Sequence, residues 1–510
     1  MRPGRQGGFR TADASSFLGL PRLPLGSWLS AGALFSVLAL TAGRYGWHRD
    51  ELYFVVAGGH PSWGYPDQPP LTPLLAAGWN AVVGGQLWLF RLLPALAVAG
   101  VVLVASATSA RLGGDRRTQV ATAVLTALTT AAVAMGHLFS TSTFTLLLTA
   151  LTLLLLVRAL QDGGLRAWLL TGLSAGVALQ AQTLPALTLL ACLVGVLVAG
   201  PREGLRRPGP WLAALLAALI AAPYLVWQAV HGWPQLEVAA DIAAGGSTSS
   251  TPRAALIPMQ LVMVGVFISP VLIAGVWALL RSQRLRAFRW LGLGFVVLLV
   301  LLVVLGGKAY YPSGFYPALL AAGADVTLRW MDGARRRRWT AGALVGLHAL
   351  GTAVVCLPLA PEGSALYEVS VAANPDAGET VGWDRLTAQV GAVTSRVTAA
   401  GSPADETVLL TGNYGEAGAL ERARRSGADL PPVYSGHNAF SMLGPPPGSA
   451  TTVVVVGYEP GTLGDWFTAC RPVATIDTGV DNEEDGASVQ VCTGLRRSWT
   501  QLWPQVTHYG

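Results

Sequence analysis

The chain has 510 residues, 52% hydrophobic and only 12% charged, where a soluble protein carries about a quarter charged residues. Its mean hydropathy of +0.48 is more than a water-soluble core can absorb, and several charge-free stretches reach about 20 residues, the length that crosses a bilayer. A soluble enzyme, a disordered chain, a collagen and a disulfide-stapled miniprotein are excluded, leaving an α-helical polytopic membrane protein with a net charge of +6.

Apolar runs between charged or Pro/Gly breaks predict eleven spans, near 27–43, 88–110, 118–136, 139–157, 167–183, 185–199, 211–230, 256–280, 290–306, 312–330 and 339–360. The breaks between the third and fourth and between the fifth and sixth are the least marked. With the N-terminus in the cytoplasm, 21 basic residues fall on that side: Arg2, Arg5, Arg10, Arg22 and the clusters at 111–117, 158–166, 202–207, 281–289 and 329–338. The opposite loops hold Arg44, Arg49, Arg91, Arg253 and Lys308. This alternation follows the positive-inside rule and predicts a cytoplasmic tail (1–26), a membrane domain (27–360) and an extracytoplasmic domain (361–510). The tail leads into a signal anchor rather than a cleaved signal peptide. Charge divides at the same boundary: residues 1–360 carry 26 Arg/Lys and 11 Asp/Glu, whereas 361–510 carry 8 and 17. The basic excess therefore belongs to membrane loops and predicts no nucleic-acid partner.

The first external loop, 44–87, is long and rich in chemistry. Asp50 and Glu51 follow the first span closely, and Leu52, Val55, Val56 and Gly59 recur at helical spacing, predicting a short interfacial helix with carboxylates at its start. Partial desolvation at a bilayer surface suits a carboxylate to general-base work; the ordinary reading is that acidic residues favour a helix N-terminus. Asp67, in DQPPLTPLL, has an equally ordinary reading as the N-cap before prolines in a first helical turn. His48, Arg49, His60 and Gln68 are accessory candidates in the same loop. Zinc has no HxxxH or CxxC spacing to support it, so the metal question stays open. The loop's tryptophans read as an interfacial aromatic belt or as a sugar-stacking platform.

Lys308 is the only lysine among 34 basic residues. It lies in VVLGGKAYYPSGFYPALL, the external hinge between the ninth and tenth spans, flanked by glycines. A compact ammonium there suits a phosphate, with Tyr310 and Tyr311 as hydroxyl donors or belt aromatics.

In the last region, TVLLTG (407–412) and TTVVVVGY (451–458) read as buried strands and EAGALERARRSG (416–427) as a helix, predicting a small α/β domain. Cys470 and Cys492 fall in it, where oxidation is permitted, and flank two β-like runs; a disulfide between them is expected. Cys192 and Cys356 lie in spans and read as apolar fillers.

HRDELYF followed by HPSWGYPDQPPLTPLL resembles the first-loop signature of glycosyltransferase family 39. These are membrane enzymes of the GT-C type, similar to protein O-mannosyltransferases and lipid A aminoarabinose transferases. GGKAYYPSGFYPALLAAGA resembles the later-loop segment of bacterial members, and TGNYGEAGAL, LPPVYSGHNAF and VDNEEDG the exported C-terminal region of an actinobacterial subgroup. The resemblance runs from about residue 40 to the C-terminus. It implies a polyprenyl-phosphate sugar donor, inverting transfer outside the cytoplasmic membrane, and an acidic base that maps to Asp50, with Glu51 in support and Asp67 as a second site carboxylate. Lys308 is then the phosphate ligand, and His437 and Asn438, in SGHN, are accessory candidates or an exposed turn. Mannose and arabinose are the sugars, and a divalent metal the cofactor, that the resemblance brings; ligands for a metal are not evident in the loop. Neighbouring carboxylates leave a double-displacement route open, while the resemblance favours a single displacement.

The acceptor implied is an envelope lipid, polysaccharide or protein. The rival readings are a lipid or polysaccharide transporter or flippase and a non-catalytic envelope-assembly scaffold. Transporters place polar residues in the middle of broken spans, whereas here charge gathers at the outer ends and Asp325 is the main ionisable residue within a span.

Overall fold

The computed structural model describes residues 22–247 and 249–510; most of the expected tail, with Arg2, Arg5 and Arg10, lies outside the described residues. Each of the eleven expected segments falls on helix. The first begins at Leu25 and the last, Arg335–Cys356, starts earlier than expected because its arginines continue the helix. Among the described residues, five single helices are long and apolar enough to cross a membrane, or seven if two bent pairs each count as one span. The chain is a multi-pass membrane protein.

Both bends depart from the straight spans expected. Arg116–Leu128 and Thr130–His137 meet at 56°; Thr129 leaves helical geometry and its hydroxyl accepts the Ala132 N–H, capping the second half. Arg253–Val264 and Ser269–Arg281 meet at 111°, where Gly265 adopts φ 117° and a Cβ would run into the His348 ring. Elsewhere helices pair through small residues that let backbones approach: Leu165–Ala181 with Pro208–Val230 at Gly172, and Ser269–Arg281 with Tyr316–Met331 at Gly275 and Gly323. Asp325 pairs with Arg284 at 2.9 Å and with Arg329, which neutralises the one acidic group read within a span.

The C-terminal region folds around a five-stranded sheet of order β2-β1-β3-β5-β4: β1 Thr407–Thr411, β2 Val433–Ser435, β3 Thr452–Val456, β4 Phe467–Thr475 and β5 Ser488–Leu495. β1 pairs in parallel with β2 and β3, while β5 runs antiparallel to β3 and β4. The expected helix runs Tyr414–Arg425, capped by Asn413. Cys470 and Cys492 face each other across β4 and β5 and are disulfide-bonded.

Strand alternation divides the core. Val408, Leu410, Val453 and Val455 pack towards the helix Trp499–Val506. Leu409, Val454 and Val456 face the other way, into one cluster with Leu52, Tyr53 and Phe54 of the first loop. The first loop and the sheet region therefore share a single apolar core. They pack tightly at Gly418, where a Cβ would stand 2.8 Å from that of Leu52.

Candidate active site

The expected short helix is present as Arg49–Gly58, with Asp50 and Glu51 in its first turn. His48 caps it, its Nδ1 accepting the Asp50 N–H at 3.2 Å, while its own N–H donates to Glu51 Oε2 at 2.9 Å. With Nδ1 an acceptor, the neutral His48 ring carries its proton on Nε2.

Glu51 is fully buried and saturated. Arg91 grips it with both forks, Nε to Oε1 at 2.9 Å and Nη2 to Oε2 at 2.8 Å, and the Phe139 N–H donates to Oε1 at 3.1 Å. Burial pushes this carboxyl up, but the Arg91 charge, its hydrogen bonds and the His48 and Phe139 amides outweigh that and hold it below its usual range. Glu51 thus has no free oxygen to offer a substrate. It pins the loop helix to the start of the Leu92–Arg111 helix and to the chain just after the Thr130–His137 helix, so the support it gives Asp50 is structural, with no oxygen turned to the cavity.

Asp50, one residue earlier, is half-buried and faces a cavity of about 250 Å³. Its Oδ1 accepts the Tyr414 hydroxyl at 2.9 Å, reaching across from the first turn of Tyr414–Arg425. Lys308 and Tyr310 line the same cavity with Arg44, His48 and His137. The Lys308 ammonium has no acceptor among the described residues. Burial lowers its pKa, with Asp50 and Asp376 acting in the opposite sense. The hinge carrying it is held by Thr251, whose hydroxyl accepts the Ala309 N–H at 3.0 Å, and by Gly306, φ 84°, where a Cβ would press within 2.8 Å of Ala243. The buried His48 Nε2 and both His137 ring nitrogens also lack partners among the described residues. A compact cation and unsatisfied ring nitrogens therefore share one chamber with a carboxylate, and Met259, Val262 and Met263 give it an apolar wall.

The remaining candidates sit elsewhere. Asp67 is not an N-cap, since the following helix starts at Leu71 behind Pro70; it instead accepts the Tyr53 hydroxyl at 2.6 Å, and the Tyr53 ring lies 4.8 Å from that of Tyr414, tilted by 40°. Burial pushes the Asp67 carboxyl up to about 6, with the Tyr53 bond opposing. Tyr311 is outside the cavity wall, its ring packed beside Gly307. His60 is exposed on a separate depression, and the Gln68 amide is buried without partners among the described residues. Arg49 points into the C-terminal region, pairing with Glu379 at 3.7 Å, Glu484 at 3.9 Å and Glu483, beneath the Tyr414 ring. His437 and Asn438 are buried rather than an exposed turn, and they line the C-terminal segment rather than the cavity: His437 Nε2 meets the Gly510 carbonyl, its ring stacks on His508, its Nδ1 accepts the Tyr414 N–H at 3.3 Å, and the Asn438 N–H donates to the His508 carbonyl at 3.1 Å.

The sequence reading missed Arg91, Tyr414, His137, Arg44 as a wall residue, and Asp376. Arg91 left a signal, a basic residue on the side that holds few. Tyr414 lay within the quoted TGNYGEAGAL motif. For a metal the donor set does not fit: among the described residues no three His, Cys, Asp or Glu side chains converge on a point that would hold one.

The fold is that of the GT-C membrane glycosyltransferases. ArnT from Cupriavidus metallidurans in the apo state is similar over 91% of this chain and 97% of that one, at 16% identity and a TM-score of 0.58. The same protein bound to undecaprenyl phosphate is similar over the same shares at 17% identity and a TM-score of 0.58. Within the fold, residues 67–227 match the family model described as dolichyl-phosphate-mannose-protein mannosyltransferase. No curated protein matches the chain by sequence.

Proposed function

We propose that this chain transfers a sugar from a polyprenyl-phosphate donor to an acceptor hydroxyl at the outer face of the cytoplasmic membrane, inverting the anomeric centre. The observation that carries the reading is the chamber shared by Asp50 and Lys308. Its apolar wall suits a prenyl chain, and Lys308, with the donor Nε2 of His48, suits the phosphate that the chain carries. Asp50 takes the proton of the acceptor hydroxyl as that oxygen forms its bond to C1. The C1–O bond to phosphate breaks, and its electron pair leaves on the polyprenyl phosphate, whose charge Lys308 stabilises. Glu51 is spent on Arg91 and Asp67 sits behind Tyr53, which supports single displacement with Asp50 as base. The basic-residue pattern supports an extracytoplasmic chamber and C-terminal region, and with it the division at about residue 360. The ArnT structure with undecaprenyl phosphate supports a lipid-phosphate donor by analogy of fold.

The test uses purified full-length protein, radiolabelled polyprenyl-phosphate sugars and envelope fractions. Asp50→Asn should lower transfer by about 10²–10⁴-fold, the contribution of a general base, with the protein still folded and inserted. Near-normal turnover in that variant removes Asp50 from the role. Lys308→Ala should chiefly raise the donor KM, and an unchanged donor dependence counts against phosphate binding there.

A further inference from the structure

Beside the Asp50 chamber lies a second and larger hollow that the donor reading does not use. It is a cleft of about 850 Å³, within the size range of ligand pockets. It lies between the first loop and the sheet region. Asp384 and Arg385 at the start of the helix Trp383–Ala399 form one wall, and Arg422, laid 4.2 Å over the Trp47 ring, forms the other. Asp384 and Arg385 are exposed, and neither side chain makes a hydrogen bond or close ion pair among the described residues; the Asp384 carboxylate acts on Arg422 across the cleft, and the Arg385 guanidinium packs against Gly479.

The two hollows are neighbours. Tyr45 and Thr380 line both, and where they meet the Gly46 N–H donates to the Thr380 carbonyl at 2.8 Å. Gly46 permits that contact, because a Cβ there would stand 2.6 Å from the same carbonyl. Tyr45 adopts φ 55°, left-handed backbone that an aromatic residue rarely takes, and its hydroxyl is tied to the Ala360 carbonyl at 2.8 Å. Backbone held in such a conformation marks a position that the surrounding fold dictates.

We propose that this cleft is the acceptor subsite and that its occupant is a carbohydrate chain, whose reacting hydroxyl passes Tyr45 to reach Asp50. The inference rests on the transferase reading and adds the class of acceptor. Three observations favour a glycan. The cleft offers carboxylate acceptors and guanidinium donors side by side, which match hydroxyl groups that both donate and accept. Its charges are of both signs, so it is not built for a polyanion. No sheet edge lines it: the edge strands β2 and β4 contribute nothing to its walls, so an extended peptide has no strand to pair with. The bonds made and broken are those given above, with the glycan hydroxyl as nucleophile.

The experiment measures binding without donor, by fluorescence anisotropy of the full-length protein in nanodiscs. The probes are tagged linear mannose, glucose and arabinose oligosaccharides, with Ser/Thr-containing octapeptides as the alternative. Wild type should bind at least one oligosaccharide series. Asp384→Ala and Arg385→Ala should each weaken that binding about tenfold, the loss of one hydrogen bond to a charged group, with unchanged melting temperature. Absence of oligosaccharide binding, binding indifferent to both cleft variants, or capture of the peptides instead would each overturn the proposal. Cleft-dependent binding in a protein that transfers no sugar would sink the transferase reading and spare the cleft; sugar transfer with no cleft-dependent binding does the reverse.

Discussion

Glu51 and Arg91 offer the sharpest test of how the site is built, because two readings of Glu51 give opposite outcomes. If Glu51 serves chemistry, Glu51→Gln should lower kcat in a protein as stable as the wild type. The structure argues the other way. Four hydrogen bonds converge on its carboxylate, two from Arg91 and one each from the His48 and Phe139 amides. Arg91 is 1% exposed and also donates to the Ala42 and Gly46 carbonyls at 3.2 and 2.8 Å. Removing one partner strands the other charge in a dry site, which costs about 3–5 kcal/mol. Arg91→Met and Glu51→Met should therefore each lower the unfolding midpoint in detergent markedly and abolish transfer along with it. The double variant strands no charge, although the His48 and Phe139 amides and the carbonyls of Ala42 and Gly46 still lose partners. It should be destabilised by clearly less than the sum of the two single losses. The assay is thermal unfolding of the full-length protein followed by intrinsic fluorescence, with transfer measured on the same samples. A wild-type melting curve for Glu51→Gln with lost turnover, or strictly additive single losses, would refute the anchoring role.

Three further outcomes follow from the geometry. Tyr414→Phe removes the hydroxyl that donates to Asp50 at 2.9 Å; hydrogen bonds to charged groups contribute about 1.5–3 kcal/mol to stability, so the melting temperature should fall modestly while loss of the base's positioning lowers kcat about tenfold; unaltered turnover would show that Tyr414 does not position the base. The Asp67 carboxyl, pushed from its ordinary 3.8 up to about 6, binds its proton more tightly in the folded protein. Its contribution is complete below pH 3.8 and fades as pH rises through 6, so Asp67→Asn, which can keep a hydrogen bond to Tyr53, should flatten a decline in melting temperature between pH 4.5 and 7.5; an identical slope in both proteins contradicts this. Gly418→Val forces a side chain against Leu52, whose Cβ already stands 2.8 Å from where one would be added; it should separate the first loop from the Tyr414–Arg425 helix and cost about 1–3 kcal/mol by overpacking, detected as increased proteolysis of the loop.

What the sequence made legible is what local patterns carry. Apolar runs located the helices, since a span must satisfy its own backbone within the bilayer. The spacing of Leu52, Val55 and Val56 located the loop helix, and the unbroken valines of 451–458 located the strand β3, buried on both faces. The bends stayed hidden because they depend on single positions: Thr129 reads like any threonine in an apolar run, and Gly265 like any glycine in a membrane helix. The partners of the site stayed hidden for a different reason. Arg91 lies 40 residues from Glu51, and Tyr414 lies 364 residues from Asp50, so nothing in the first loop announces either contact.

The adjacent pair Asp50 and Glu51 shows where such reading stops. On a helix, successive side chains point about 100° apart, so two neighbouring carboxylates at a surface cannot serve the same space. One must turn towards the packed interior, where a charge survives only if matched, and the other towards whatever opening the fold leaves. That they divide the work follows from helix geometry alone. Which of them turns inward is decided by Arg91, and Arg91 enters only when the start of the Leu92–Arg111 helix packs beneath the loop. An arginine placed against the other side of the loop helix would have made Glu51 the free acid, in a sequence whose first-loop signature read the same.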